Sequence, residues 1–138
     1  MRTLAQVTEA TGFEVLEHLE AEAQVPAVAG LQAQGDLFII PAGKATATHY
    51  ERGSAVPAAG VAVIETIGGG HEHRLFAGQP GTAFWQPASG GGQDIGVLEC
   101  TGPAYVLHPE HGAAGIAPGA YVLRRQREQA DVERLVAD

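Results

Sequence analysis

The stretch "DIGVLECTGPAYVLHPEHG", residues 94–112, decides how the chain is read. Two short apolar runs, 94–100 and 103–108, are separated by Thr101-Gly102-Pro103, and Pro109 closes the second. Apolar runs of this length between glycine and proline breakers are strands rather than helices. The same grammar extends outward to 36–40, 45–50, 61–66, 72–76, 82–86 and 120–125. Breakers such as "PAAG", "GQPG", "PASGGG" and "APG" fall between them. About eight short strands predict a mainly β fold, either a small β-barrel or a two-sheet sandwich. The gaps are too short for the helical crossovers that a parallel sheet needs. On the strand at 120–125, the two-residue period places Tyr121 and Leu123 on one face, and that face is expected to point inward.

Composition narrows the class. The chain has 138 residues, 45% of them hydrophobic, which suits one globular unit. Apolar runs such as "LFII" (37–40) fall far short of the ~20 residues that span a bilayer. The first residues, "MRTLAQVTEATGFEVLEHLEAEA", carry glutamates where an export signal is apolar, so a soluble cytoplasmic protein is expected. Cys100 is the single cysteine, which excludes an internal disulfide and a zinc knuckle. It reads as a small buried hydrophobe. The net charge is −8, and Lys44 is the one lysine. The basic cluster Arg124, Arg125 and Arg127 is diluted at once by Glu128 and Asp131. A chain so acidic lacks the cationic footprint that nucleic acid or an anionic membrane surface requires.

The two ends differ from the middle. Residues 8–24 read as an amphipathic helix, with Phe13, Leu16 and Leu19 on one face and glutamates opposite. Thr8 or Thr11 is the candidate N-cap, and Glu14 follows Thr11 at capping-box spacing. "VPAVAGLQAQ" (25–34) then reads as a connector or a weak edge strand, which divides the chain into a helix and connector, 1–33, and a β domain, 34–138. A short C-terminal helix through Val132 and Leu135 is expected.

The histidines carry the chemistry. Four of the six lie in two clusters, His71 and His73 in "GGGHEH" and His108 and His111 in "LHPEHG". Residues two apart on a strand share a face, so His71 and His73 can offer two imidazoles to one ion. His108 ends a strand, Pro109 turns the chain, and His111 returns about one turn later. Such a set suits a divalent ion of zinc, iron, nickel or manganese. Glu110 is the candidate fourth ligand, or a general base acting on metal-bound water. His18 reads as a polar position on the N-terminal helix, and His49 as a further candidate participant. No Gly-x-Ser-x-Gly elbow or P-loop is present to support hydrolase-triad or nucleotide chemistry.

Two resemblances bear on this. His71-x-His73 in a β-rich chain resembles the first metal motif of cupins, although the acid that follows in that motif is missing from "HEHRLFAGQPG". "GDLFIIPAGKATATH" resembles the start of the second cupin motif through Gly35, Pro41 and Gly43, but it precedes His71 and has Thr46 in place of the histidine. The fuller resemblance is to an uncharacterised family of small bacterial and phage-encoded proteins. It rests on "QGDLFIIP" (34–41), "GHEH" (70–73), "LHPEH" (107–111) and "PGAYVLRRQRE" (118–128). It implies that both histidine clusters belong to one pattern and that the N-terminal helix is an addition. Glu65 in "IETIGGG" stands out of step with that family's lead into the histidines.

Two functions follow as expectations. The first is a metal-coordinating β protein with His71, His73, His108 and His111 as ligands. An open coordination position would give hydrolytic or lyase chemistry, and a closed one a structural ion. The second is a structural or interaction subunit, for instance an accessory protein of a phage particle. There a partner or a second copy of the chain covers the Phe13, Leu16 and Leu19 stripe, and the particle replaces the cytoplasm as its location.

Overall fold

The computed structural model describes residues 2–15, 21–42, 52–64, 72–88 and 93–125. These form β1 (Arg2–Thr3), α1 (Leu4–Thr11), β2 (Gln24–Val25), β3 (Ala27–Val28), β4 (Gln32–Gln34), β5 (Leu37–Pro41) and β6 (Ser54–Ala55). There follow β7 (Val61–Ile64), β8 (His73–Ala77), β9 (Ala83–Pro87), β10 (Asp94–Cys100), β11 (Ala104–His108), β12 (Gly112–Ile116) and β13 (Gly119–Arg125). A six-stranded sheet runs β4-β5-β13-β10-β9-β6 and a five-stranded sheet runs β3-β12-β11-β8-β7, with β1-β2 as a small third sheet. The two large sheets form a sandwich with separate edges; no barrel closure is seen among the described residues.

Strand alternation builds the core. Leu37 and Ile39 of β5, Leu98 of β10, and Tyr121 and Leu123 of β13 meet Leu75 of β8 and Val106 of β11 between the sheets. Tyr121 is inward, as its face predicts, and its hydroxyl donates to the Ala117 carbonyl at 2.7 Å. The outer face of the five-stranded sheet holds a second cluster, in which Phe76, Tyr105 and Leu107 bury Leu4, Val7 and Val25. Helix α1 therefore packs on the chain's own sheet.

An N-terminal helix is present, but it starts earlier than expected and shares only 8–11 with the 8–24 reading. Thr3 caps it, its side chain accepting from the Gln6 amide while Gln6 returns a bond to the Thr3 N–H. It stops at Gly12, whose φ of 72° is the left-handed conformation that ends helices. Thr8 and Thr11 fall inside the last turn, their hydroxyls bonded back to Ala5 and Val7 carbonyls. Phe13 and Val15, beyond the cap, lean on the second cluster without being helical. Leu16, His18 and Leu19 lie outside the described residues, as do the expected strand 45–50, Glu65 and the expected C-terminal helix. Among the described residues no helix is long and apolar enough to cross a membrane.

The connector 25–34 supplies edge strands: β3 pairs parallel with β12, and β4 pairs with β5. Strand β12, "GAAGI", was not expected. Glycine and alanine have little strand preference of their own, and β12 exists because the β11 turn folds it back onto a register from His108–Gly112 to Ala104–Ile116.

Candidate functional site

Register assembles the site at one end of the five-stranded sheet. Strands β8 and β11 pair antiparallel with Val106 opposite Leu75 and Leu107 opposite Arg74. One step further, His108 stands opposite His73 on the face that holds Val106 and Leu75. The two rings lie 4.5 Å apart, centroid to centroid, and both side chains are buried. After His108 the chain turns through Pro109, Glu110 and His111 into β12. The His108 ring closes this turn, its Nδ1 accepting from the backbone N–H of Glu110 at 3.1 Å and of His111 at 3.3 Å. A neutral His108 therefore carries its proton on Nε2. The His111 ring continues the row, 4.6 Å from His108 and exposed to solvent.

The β4–β5 hairpin closes the site from the other sheet. Gln34 pairs with Leu37 across a two-residue loop, Gly35-Asp36. Gly35 has φ 59°, and no described non-glycine residue has positive φ. Those signs are those of a type II′ turn, which takes glycine first. An added Cβ on Gly35 would stand 2.9 Å from His111 Nε2, so glycine lets the His111 ring sit this close to the turn, while His73 Cε1 at 3.5 Å would be in ordinary contact.

Gln34 settles the chemistry of His73. Its amide nitrogen donates to the Val106 carbonyl at 2.9 Å and the Gly112 carbonyl at 3.3 Å. Its oxygen is thereby turned to His73 Nδ1 at 2.9 Å, which makes Nδ1 the protonated nitrogen. His73 Nε2 faces Asp36 Oδ1 at 3.0 Å. The other Asp36 oxygen meets Arg125 Nε at 3.4 Å. Both His73 nitrogens thus face oxygen acceptors, an arrangement that asks for an imidazolium or for another cation on Nε2. Burial opposes the imidazolium and pushes the His73 pKa below its ordinary value. The Asp36 hydrogen bond and charge pull it up, and the His111 and Arg125 charges pull it down.

Of the expected ligands, His73, His108 and His111 come together in one row, while His71 and His49 lie outside the described residues. Glu110 is exposed on the turn. Among the described residues no group of three His, Cys, Asp or Glu side chains stands ready to hold an ion. Gln34 and Asp36 carry the tightest contacts to His73 and were not singled out as site residues. Their one sequence signal is that Gln-Gly-Asp accompanies the histidines in the resemblance. An open groove of about 370 Å³, lined by Gln32, Gln34, Gly35, His111 and Ala113 among others, flanks His111.

A family model described as Domain of unknown function (DUF8820) matches residues 33–126, the part of the chain that contains both sheets' site strands and the hairpin. No curated protein and no solved structure matches the chain.

Proposed function

We propose that this chain, which belongs to the DUF8820 family, binds a divalent transition-metal ion through His73 Nε2 and Asp36 Oδ1. One observation carries the reading: Gln34 fixes the proton on His73 Nδ1 and leaves the Nε2 lone pair 3.0 Å from a carboxylate oxygen. Two acceptors at that separation need a cation between them, which a proton or a metal ion can supply. A metal-ligating histidine typically donates its other N–H to an oxygen acceptor, the role Gln34 plays here. An imidazole and carboxylate donor set suits zinc, iron, nickel or manganese.

His111, exposed beside Gly35 and the groove, is the further imidazole that a small turn movement would add. His71, adjacent in sequence, is the proposed fourth. The Nδ1 of His108 is taken up by two backbone N–H groups, so this ring supports the cluster by stacking and offers no Nε2 lone pair while neutral. Glu110, on the same turn, is proposed as a further oxygen ligand or as a base toward metal-bound water. The groove is lined by His111, Gln34 and Gly35, so an ion that also took His111 would lie near a space open to small molecules, as a reactive site requires.

The test is elemental analysis of the untagged protein after dialysis against zinc and removal of free ion. About one equivalent is expected, falling at least tenfold in His73→Ala and Asp36→Ala and unchanged in His18→Ala. Zinc at trace level in the wild type, or retained in both site variants, overturns the proposal.

A further inference from the structure

A second cavity, which shares no lining residue with the groove beside His111, has no part in the histidine site. It measures about 230 Å³ and lies between α1 and the turn that follows β8. Its walls are mostly apolar, with Val56, Pro57, Phe76, Ala77 and Pro80 among them, and Arg2 is its one charged lining residue. The Arg2 guanidinium is held at the wall. Its Nη2 donates to the carbonyl of Gly78, itself a lining residue, at 3.2 Å, and its Cζ lies 5.6 Å from the centre of the Tyr105 ring.

The pairing pattern of the arginines sets Arg2 apart. Arg52 is paired with Glu99, Arg74 with Glu72, Arg124 with Asp94 and Arg125 with Asp36. Among the described residues Arg2 is the arginine without a carboxylate, although the chain carries a net charge of −8. A half-buried guanidinium has five N–H donors in a fork matched to a carboxylate, and here one is used by Gly78. An apolar chamber that ends in an unpaired cation is complementary to a molecule with an apolar body and one anionic end.

We propose that this cavity binds a small apolar monocarboxylate, with the acid group on Arg2 and the hydrocarbon against Phe76, Val56 and Pro80. An apolar cavity of ~150 Å³ holds benzene, so this one accommodates an acid of roughly six to eight carbons. The acid displaces water from apolar walls and completes the guanidinium's hydrogen bonding.

Hexanoate, titrated into ¹⁵N-labelled full-length protein and followed by amide chemical shifts, tests this. Saturable shifts at Thr11, Ala58, Ala77 and Gly78 are expected, with a dissociation constant of roughly 1 mM. Hexanamide, alike in shape but neutral, should bind at least about tenfold more weakly, and Arg2→Gln should weaken hexanoate by a similar factor. Ala10 lines the cavity from an exposed helix position, so Ala10→Leu should block binding while leaving the rest of the spectrum in place. Hexanamide binding as tightly as hexanoate, shifts that never saturate, or hexanoate binding unchanged in Ala10→Leu would overturn the proposal. The amide control and Ala10→Leu decide the matter even if Arg2→Gln fails to fold.

Discussion

The inward rows of β8 and β11 begin in oil and end in imidazole. At one end Leu75 and Val106 meet across the strands inside the large core, fully buried, with Leu98 and Leu123 facing them from the other sheet. Two residues on, His73 and His108 meet in the same way, nearly as buried. The backbone treats both pairs alike, yet their requirements differ. The apolar end asks for volume, because dispersion and water exclusion have no direction. The imidazole end asks for identity, because both His73 ring nitrogens and the Gln34 amide are tied to particular partners. Among the described residues no buried side-chain nitrogen or oxygen lacks a hydrogen-bond partner. A polar end so completely satisfied is part of the fold as well as a candidate site.

Substitutions can break this contrast. Leu98→Ala empties space at the centre of the sandwich and should show the largest effect, about 2–5 kcal/mol in urea unfolding. Leu98→Met should cost well under half of that, since volume is conserved. If the two cost the same, the apolar end is as particular as the polar one and the comparison collapses.

Gln34→Leu should come next, at about 1–3 kcal/mol, because it strands the Val106 and Gly112 carbonyls and the His73 Nδ1–H. His73→Leu should fall in the same range, by orphaning the Gln34 oxygen. The double variant should cost less than the sum, since the two residues share one bond. Additive losses in such a cycle would mean that Gln34 does not hold His73.

Gly35→Ala follows, at about 1–2 kcal/mol for a side chain forced to φ 59°. The new methyl also pushes the His111 ring away, so a shift in the His111 imidazole resonance should accompany the loss. A stability loss without that shift would separate the turn from the cluster.

The smallest effect lies at high pH. Burial raises the Cys100 thiol above its ordinary 9.0 and the Tyr121 phenol above 10.0. The unfolded chain then releases these protons first, so stability is whole below pH 9.0 and declines as pH rises through and beyond that value. Cys100→Ala should flatten the first part of the decline between pH 9 and 10, read by urea midpoints. An unchanged slope would show that the thiol ionises as freely in the fold as out of it.

How much of this was legible depends on how local each signal is. Six of the expected strands fall wholly among the described residues and 61–66 in part, and all seven appear there, because runs such as "LFII" and "AYVLH" between glycines and prolines suit one backbone conformation. The helix was misplaced by a rival local pattern. The glutamate-rich 8–24 stretch reads as one amphipathic helix, but the Thr3–Gln6 box starts α1 at Leu4 and Gly12 ends it at Thr11, and 16–20 lie outside the described residues. The "GAAGI" strand has no apolar period to read and owes its form to its neighbour.

The sequence by itself determined the β class, the inward face at Tyr121 and Leu123, and the two histidine clusters as the place to look. Those are properties of composition and of spacing over a few residues. Tertiary structure decided which atoms meet. The register of β11 on β8 sets His108 against His73, and the β4–β5 turn brings Gln34 and Asp36, 39 and 37 residues away in sequence, onto the same ring. A one-step slip of either strand would turn that ring to the other face. No local pattern contains the information, because register is set by the whole sandwich closing on its core.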